Sequence, residues 1–244
     1  MRVLTYNIQA AIGAQRATDY VTRGHRQFLN VKAKTKTLDN IAEFMKDFDI
    51  VCLQEVDLGG RRSGFKSQID RLKKRSGLEH SIDQTNRVVG KTSIHGNAIL
   101  SRFEISQYGD HKLPSRIPGR GALSCHINGL NVINTHLSLN PKTQTEQLSF
   151  LKDLIKPEAP VIIVGDLNCR SSAAHLKSFA ERAHLNILTR PTDKTYPAWR
   201  PRQDLDHIIA SKIFARCQPI VHDVSFSDHR PVSINLDPSA KHES

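Results

Sequence analysis

A chain of 244 residues, 38% hydrophobic and 24% charged, has enough apolar side chains for a large core, in one big domain or two small ones, and no linker marks a division. No apolar run approaches the roughly 18 residues of a membrane span, and residues 1–8 lack the basic stub and long apolar segment of a leader, so a cytoplasmic protein is expected. The formal net charge of +11 favours an anionic partner, whether nucleic acid, a phospholipid surface or a phosphorylated metabolite.

Residues 1–8 read as a first strand ending near Asn7, followed to about residue 33 by a loop-like basic stretch with Arg16, Arg23, Arg26 and Lys32. Leu38, Ile41, Ala42, Met45 and Phe48 recur at helical spacing and predict an amphipathic helix over 34–48, packed on a sheet. The next strand covers 49–56, where the apolar run Ile50, Val51, Cys52, Leu53 delivers Glu55 at its end. Between Asp57 and Arg75 seven Lys or Arg stand against two Asp; a short basic helix at 66–76 presents them as a solvated face or an anion-binding one. Residues 97–101 read as a strand entered through Gly96. Strands at 121–127 and 130–135 are joined by Asn128-Gly129, a strong hairpin signal, and the second runs straight into His136.

Leu148, Leu151, Leu154 and Ile155 share one face of a helix over 146–155 that stops before Pro157. Ser171 or Ser172 is expected to cap a third helix with Leu176, Phe179, Ala180 and Ala183 as its apolar stripe. Strands follow at 206–211, 219–226 and 231–236, and 238–244 reads as a polar tail. Hairpins intermixed with helices predict a layered α/β protein with mixed sheets. Cys52, Cys125, Cys169 and Cys217 are widely spaced and form no CxxC pair, as expected of reduced, buried residues.

The most informative stretch is 161–168, Val-Ile-Ile-Val-Gly-Asp-Leu-Asn. Four β-branched residues in a row read as a strand buried on both faces that delivers Asp166 and Asn168 where the sheet meets solvent. At i, i+2 on extended backbone the two side chains point the same way, although the same residues also spell an Asx turn. Polar residues follow apolar strands elsewhere too: Asn7, Glu55, Asn97, His136, Asp206 with His207, and Asp228 with His229. Each alone can close a turn or sit satisfied in a core; together they define a site. Hard carboxylate and amide oxygens suit Mg²⁺ or Mn²⁺ better than zinc. A histidine beside an acid supplies a base or a cation facing a phosphoryl group. A Gly-x-x-x-x-Gly-Lys loop and a Gly-x-Ser-x-Gly elbow are both missing, which argues against nucleotide triphosphate motors and serine hydrolases.

In order, Thr5-Tyr6-Asn7, Leu53-Gln54-Glu55-Val56, Gly96-Asn97-Ala98-Ile99-Leu100-Ser101, Asn134-Thr135-His136-Leu137, Gly165-Asp166-Leu167-Asn168, Leu205-Asp206-His207-Ile208 and Ser227-Asp228-His229-Arg230-Pro231-Val232 closely resemble the endonuclease/exonuclease/phosphatase superfamily, the deoxyribonuclease I-like proteins, from residue 3 to residue 236. The resemblance implies a four-layered α/β/β/α sandwich of two packed mixed β-sheets, one domain over 1–237, with a divalent-metal site at one end. It implies Glu55 as principal metal ligand, supported by Asn7 and Asp228, and Asp166 as the residue that orients or deprotonates the attacking water. Asn168 would hold a phosphate oxygen, His229 paired with Asp206 would face the scissile phosphate, and His136 would lie near the phosphate or leaving group. Asn97 is a candidate for substrate contact, as are Arg200 and Arg202 in Pro197-Ala198-Trp199-Arg200-Pro201-Arg202.

Cys169-Arg170-Ser171-Ser172 stands where abasic endonucleases of the family carry a helical insert, so abasic-site repair is not implied. The expected activity is Mg²⁺-dependent hydrolysis of a phosphodiester by in-line attack of water, on nucleic acid given the charge, with a phospholipid or inositol-phosphate substrate as the alternative. An anionic membrane surface would serve the second case, no obligate protein partner is indicated, and a non-catalytic binding protein is the remote reading because no matched position is lost.

Overall fold

Alternation along the strands assigns each side chain to a layer. In β1 (Arg2–Asn7), Val3 packs into one apolar cluster while Leu4 and Tyr6 pack into another, the two-residue period of a strand buried on both faces. The computed structural model describes residues 1–11, 31–60, 65–90, 93–116 and 118–237. Residues 12–30 of the expected basic loop, Arg61, Arg62 and the 238–244 tail lie outside them.

After β1 come α1 (Val31–Met45), β2 (Ile50–Asp57), α2 (Gln68–Ser76), β3 (His80–Val89), β4 (Ser93–Ser101), β5 (Ile105–Lys112), β6 (Gly121–Ile127) and β7 (Leu130–His136). The second half holds α3 (Pro141–Asp153), β8 (Val161–Asp166), α4 (Ala174–Arg182), β9 (Leu185–Ile187), β10 (Asp206–Ser211), β11 (Pro219–Val221) and β12 (Val232–Asn235). They form two six-stranded mixed sheets, ordered β11-β12-β1-β2-β4-β3 and β5-β6-β7-β8-β10-β9. Val3, Cys52, Ile99, Ile162, Val164 and Ile208 meet between the sheets. Leu38, Ile41, Met45 and Leu72 of α1 and α2 cover the outer face of the first sheet, and Leu148, Leu151, Leu176 and Phe179 of α3 and α4 cover the second. The architecture is therefore the expected α/β/β/α sandwich.

Topology places the site. β1 and β2 are parallel, joined through α1, and β7 and β8 are parallel, joined through α3. A parallel pair with a helical crossover brings both carboxyl ends to the same edge of its sheet, so Asn7 and Glu55 emerge together, as do His136 and Asp166. β10 runs antiparallel to β8 and starts with Asp206 directly opposite Asp166. The β6–β7 hairpin turns through Asn128 and Gly129 at φ 45° and 80°, the positive pair that this dipeptide accommodates.

Several local expectations are corrected. Helix α3 begins earlier than its apolar stripe suggests, at Pro141, capped by Asn140 Oδ1, which accepts the amides of Lys142 and Thr143 at 3.0 and 3.1 Å. Neither serine caps α4: Ala173 holds the cap position without a side-chain bond. Ser171 instead donates its amide and its hydroxyl to Asp204 Oδ2 at 2.8 and 2.6 Å, because a buried carboxylate is the stronger acceptor. The strand expected over 219–226 ends at Val221, and β3, β5 and β9 were not anticipated.

Candidate active site

Glu55 reaches the site because β2 breaks its own ladder. Pairing with β4 shifts register between Leu53 and Val56, and Glu55 takes φ 55°, so a bulge turns a residue that strict alternation would have aimed elsewhere. Asn134, from the opposite sheet, braces that bulge. Its Nδ2 donates to the carbonyls of Leu53 and Ala98, both at 2.9 Å, and its Oδ1 accepts Gln54 Nε2 at 2.7 Å. Gln54 Nε2 also meets Thr5 Oγ1 at 3.0 Å. These buried residues tie the sheets together beneath the site and do not line it. Gly165 has a comparable structural role: at φ +146°, any Cβ would fall 1.8 Å from the Thr135 carbonyl oxygen.

Asp166 is the hub. Its Oδ2 accepts Asn7 Nδ2 at 3.0 Å and lies 3.4 Å from His136 Nε2 and 3.7 Å from His229 Nε2. Burial, with the nearby Asp206 and Glu55 carboxylates, pushes its pKa up to about 7 against the opposing pull of His229 and Asn7. Asn168 does not share its direction by strand alternation, because β8 ends at Asp166 and Asn168 turns to φ 52°. Its amide closes an Asx turn on Asp166 Oδ1 at 3.0 Å, and its Nδ2 donates to the Leu137 carbonyl at 2.9 Å. The turn and the site are one feature here.

His229 Nδ1 meets Asp206 Oδ2 at 2.8 Å, and the Tyr196 ring lies against the imidazole with centroids 4.9 Å apart. Burial alone would lower the pKa of His229, but Asp206 and Asp166, with Asp228 beyond them, hold it well above its ordinary value. His136 goes the other way, held well below by burial, by Arg120 and by His229. The two histidines of one site are thus shifted in opposite directions, His229 toward the imidazolium and His136 toward the neutral ring. His207, beside Asp206 in sequence, is a satisfied core histidine: its ring bonds Thr189 Oγ1 at 2.7 Å and the Cys169 carbonyl at 2.8 Å.

Arg120 escaped sequence reasoning, and Gln9 was not expected to be a site residue. Gln9 sits in a turn in which Gln9, Ala10 and Ala11 all take positive φ, 45°, 50° and 57°, unfavourable for residues with a Cβ. The turn is held by the Gln9 amide on Asn7 Oδ1 at 3.1 Å and by Gln9 Nε2 on Asp228 Oδ2 at 3.2 Å. Arg120 Nη1 lies 2.9 Å from His136 Nδ1 and 2.6 Å from Nε2. Its only sequence signal was a cation between two glycines, Gly119 and Gly121. Beside this cluster opens a cavity of about 480 Å³ bounded by Glu55, Asn97, Arg87, Arg120 and His136. Asn97 is fully buried in its wall, with Nδ2 bonded to Gln84 Oε1 at 3.2 Å and to the Gly121 carbonyl at 3.0 Å. Arg200 and Arg202 are exposed on the loop that carries Tyr196 and do not line this cavity; from that loop the structure brings in Tyr196 and the Ala198 amide, which donates to the Asp228 carbonyl at 2.7 Å.

The donor set fits a hard divalent cation. Burial and the nearby Asp228 raise the pKa of Glu55, a strain of buried anions that a cation relieves. Asp206 Oδ1 is buried without a hydrogen-bond partner among the described residues. Asp166, Asp206 and His229 also form a compact trio, with one ligand atom from each within 4.8 Å of the others. In that trio His229 Nδ1 already bonds Asp206, so the pair reads as an oriented imidazole more than as two ligands.

A two-sheet sandwich that converges carboxylates, amides and histidines at one end defines a class of phosphate-ester hydrolases. The chain belongs to the Endonuclease/Exonuclease/phosphatase family, whose model matches residues 4–229. Among curated proteins it is similar to YbhP of Escherichia coli strain K12, named an uncharacterized protein, at 29% identity over 216 residues, 77% of this chain and 83% of YbhP. Among solved structures, the Bacteroides thetaiotaomicron mannosyl-6-phosphatase Bt3783 aligns with a TM-score of 0.73 at 18% identity, covering 96% of this chain and 98% of its own. Sphingomyelinase C from Streptomyces griseocarneus aligns at 0.67 and 17% identity, covering 96% and 98%. These two likenesses establish the shared fold. Among the described residues no helix is long and apolar enough to cross a membrane.

Proposed function

We propose that this chain is a divalent-metal-dependent phosphodiesterase that hydrolyses nucleic acid in the cytoplasm by in-line attack of water, its residues 1–237 acting as one catalytic domain. The carrying observation is Asp166, pushed up to about 7 and hydrogen-bonded to Asn7, between a histidine whose pKa is raised and one whose pKa is lowered. A carboxylate poised near neutral pH suits proton transfer from water.

In this reading Glu55, Asn7 and Asp228 would hold Mg²⁺ or Mn²⁺, which would supply positive charge toward a phosphate oxygen. Asp166 Oδ2 receives the proton of the attacking water while Asn7 Nδ2 fixes the carboxylate. His229, oriented by Asp206, presents an imidazolium to the phosphate as negative charge builds. His136 stays neutral beside Arg120 on the leaving-group side, and Asn168 would hold a phosphate oxygen with the Nδ2 hydrogen that its bond to the Leu137 carbonyl leaves. Arg200 and Arg202, exposed on the neighbouring loop, serve approach of the substrate through charge.

The choice of nucleic acid rests on the net charge of +11. The test is cleavage of plasmid DNA, single-stranded RNA, an abasic duplex and anionic phospholipid vesicles, each with Mg²⁺, with chelator and with Asp166→Ala. Chelator-sensitive cleavage of a nucleic acid, absent in the variant, is the expected result. Cleavage of lipid alone would replace the substrate class, and silence on all four would overturn the diesterase reading in favour of a small phosphorylated substrate or a binding role.

A further inference from the structure

We propose that the cavity beside Glu55 seats a second phosphate of the substrate, flanking the scissile one and gripped by Arg87 and Arg120. The inference rests on the phosphodiesterase reading and adds to it a requirement on the substrate: two phosphates on neighbouring groups.

Two guanidinium groups converge on this cavity from different sheets, Arg87 from the end of β3 and Arg120 from the residue before β6. Among the described residues the Arg87 side chain has no hydrogen bond or ion pair, and Glu55 is the only carboxylate on the cavity wall. Burial, and Arg87 with it, disfavour the charge of Arg120. Asp166 and Glu55 favour the charge of Arg120, while the Arg87 side chain keeps its fork open to an anion, and the planar guanidinium matches phosphate oxygens.

The approach is built into the backbone. Gly119 takes φ +124°, and a Cβ there would stand 3.4 Å from Arg87 Cδ, so the stem of Arg87 lies along a residue with no side chain. A Cβ on Gly121 would fall 2.3 Å from both Gln84 Oε1 and Asn86 Oδ1. Glycines on both sides of Arg120 thus let the edge strand β3 close against β6 and bring the two arginines to one wall. The same cavity includes Glu55, Asn97 and His136, which places its anion next to the reacting phosphate. At about 480 Å³ it has room for a phosphate with the sugar or ring that carries it. Leu139, 73% exposed on the rim, offers an apolar surface to that ring.

The second phosphate has two chemical sources, the neighbouring phosphate of a polynucleotide strand or an added phosphate on a small diester. The experiment compares kcat/KM of the wild-type chain and Arg87→Gln on a dinucleotide with and without a terminal 5′- or 3′-phosphate, and on glycerophosphoinositol with and without a ring phosphate. A separate readout that needs no turnover is fluorescence anisotropy of a labelled trinucleotide in chelator, against the same trinucleotide with its flanking phosphate replaced by an uncharged methylphosphonate.

The added phosphate is expected to raise kcat/KM by about tenfold or more in the wild type, and Arg87→Gln to remove most of that advantage, with Arg87→Lys between them. An advantage confined to the inositol pair would retain the seat and identify its source as a small molecule. A ratio that Arg87→Gln leaves intact would overturn the proposal. If no arm is cleaved, the diesterase reading fails, and anisotropy still decides the seat: a phosphate-dependent difference lost in Arg87→Gln supports it, and equal binding of both trinucleotides overturns it.

Discussion

His229 Nδ1 and Asp206 Oδ2 stand 2.8 Å apart in a buried pair, each from a different sheet or its connecting loop. The carboxylate fixes which ring nitrogen faces Asp166 and holds the imidazolium well above its ordinary 6.5. A raised histidine pKa means that the cation persists as pH rises through the neutral range and is lost only above it. Asp206→Asn is expected to lower turnover by about 10²- to 10⁴-fold with the fold intact. The His229 titration midpoint, followed by NMR in metal-free protein, should move down in the variant; a midpoint that stays put would show that Asp206 does not set the charge.

Asn134 offers a different test, because it touches no reacting group. Asn134→Leu strands the Leu53 and Ala98 carbonyls and one bond of Gln54 Nε2 in the interior. Losing buried partners of this kind costs about 2–4 kcal/mol, to be read from urea unfolding. Since the bulge beneath Glu55 is what Asn134 supports, metal affinity measured by calorimetry should fall as well. Full metal affinity in a destabilised variant would separate the brace from the site.

Metal binding should stabilise the chain by mass action. With Mg²⁺ at about 100 times its dissociation constant the gain is about 2.7 kcal/mol, a Tm rise of roughly 5–10 °C for a domain of this size. In Glu55→Gln the rise should largely vanish. A persistent rise in Glu55→Gln, abolished instead by Asp166→Asn, would move the cation seat to the Asp166, Asp206 and His229 trio.

Away from the site, Arg71 grips Asp39 through Nε and Nη2, both at 2.7 Å, and ties α2 to α1. The Arg71 hydrogen bond lowers the Asp39 pKa below its ordinary 3.8. A depressed carboxylate contributes stability above its unfolded pKa, and that contribution is lost as pH falls through the folded value. The side chains are 31% and 39% exposed, so solvent screening limits the pair to about 0.5–1 kcal/mol. Arg71→Ala should therefore destabilise the chain by that amount at pH 7, and the difference should shrink below pH 4. A difference independent of pH would assign the loss to packing of the arginine stem.

Legibility in the sequence followed burial. Central strands such as β1, β2 and β8 announce themselves by apolar runs, and the acids and amides at their ends were found because those runs stop abruptly. Three unanticipated strands, β3, β5 and β9, are all at sheet edges, where one flank is open and polar residues such as those of Ile105–Lys112 carry no periodic signal. Within the motifs, spacing could not separate reacting residues from supporting ones. Glu55 and Gln54 are neighbours, as are Asp206 and His207, yet in each pair one side chain faces the site and the other serves the interior. Arg120 lay outside every motif, since its position depends on two glycines whose meaning is steric and emerges only when β3 comes alongside.

The bond from Asn7 on one sheet to Asp166 on the other has a consequence for how this chain comes into being and fails. Neither half of the sandwich owns the complete set of proposed reacting groups, so no fragment or half-assembled intermediate would process substrate. During synthesis or after heat damage, the proposed hydrolysis would switch on only when the halves have met and the seam between them has closed. Under the proposed activity, turnover would be a direct gauge of that seam.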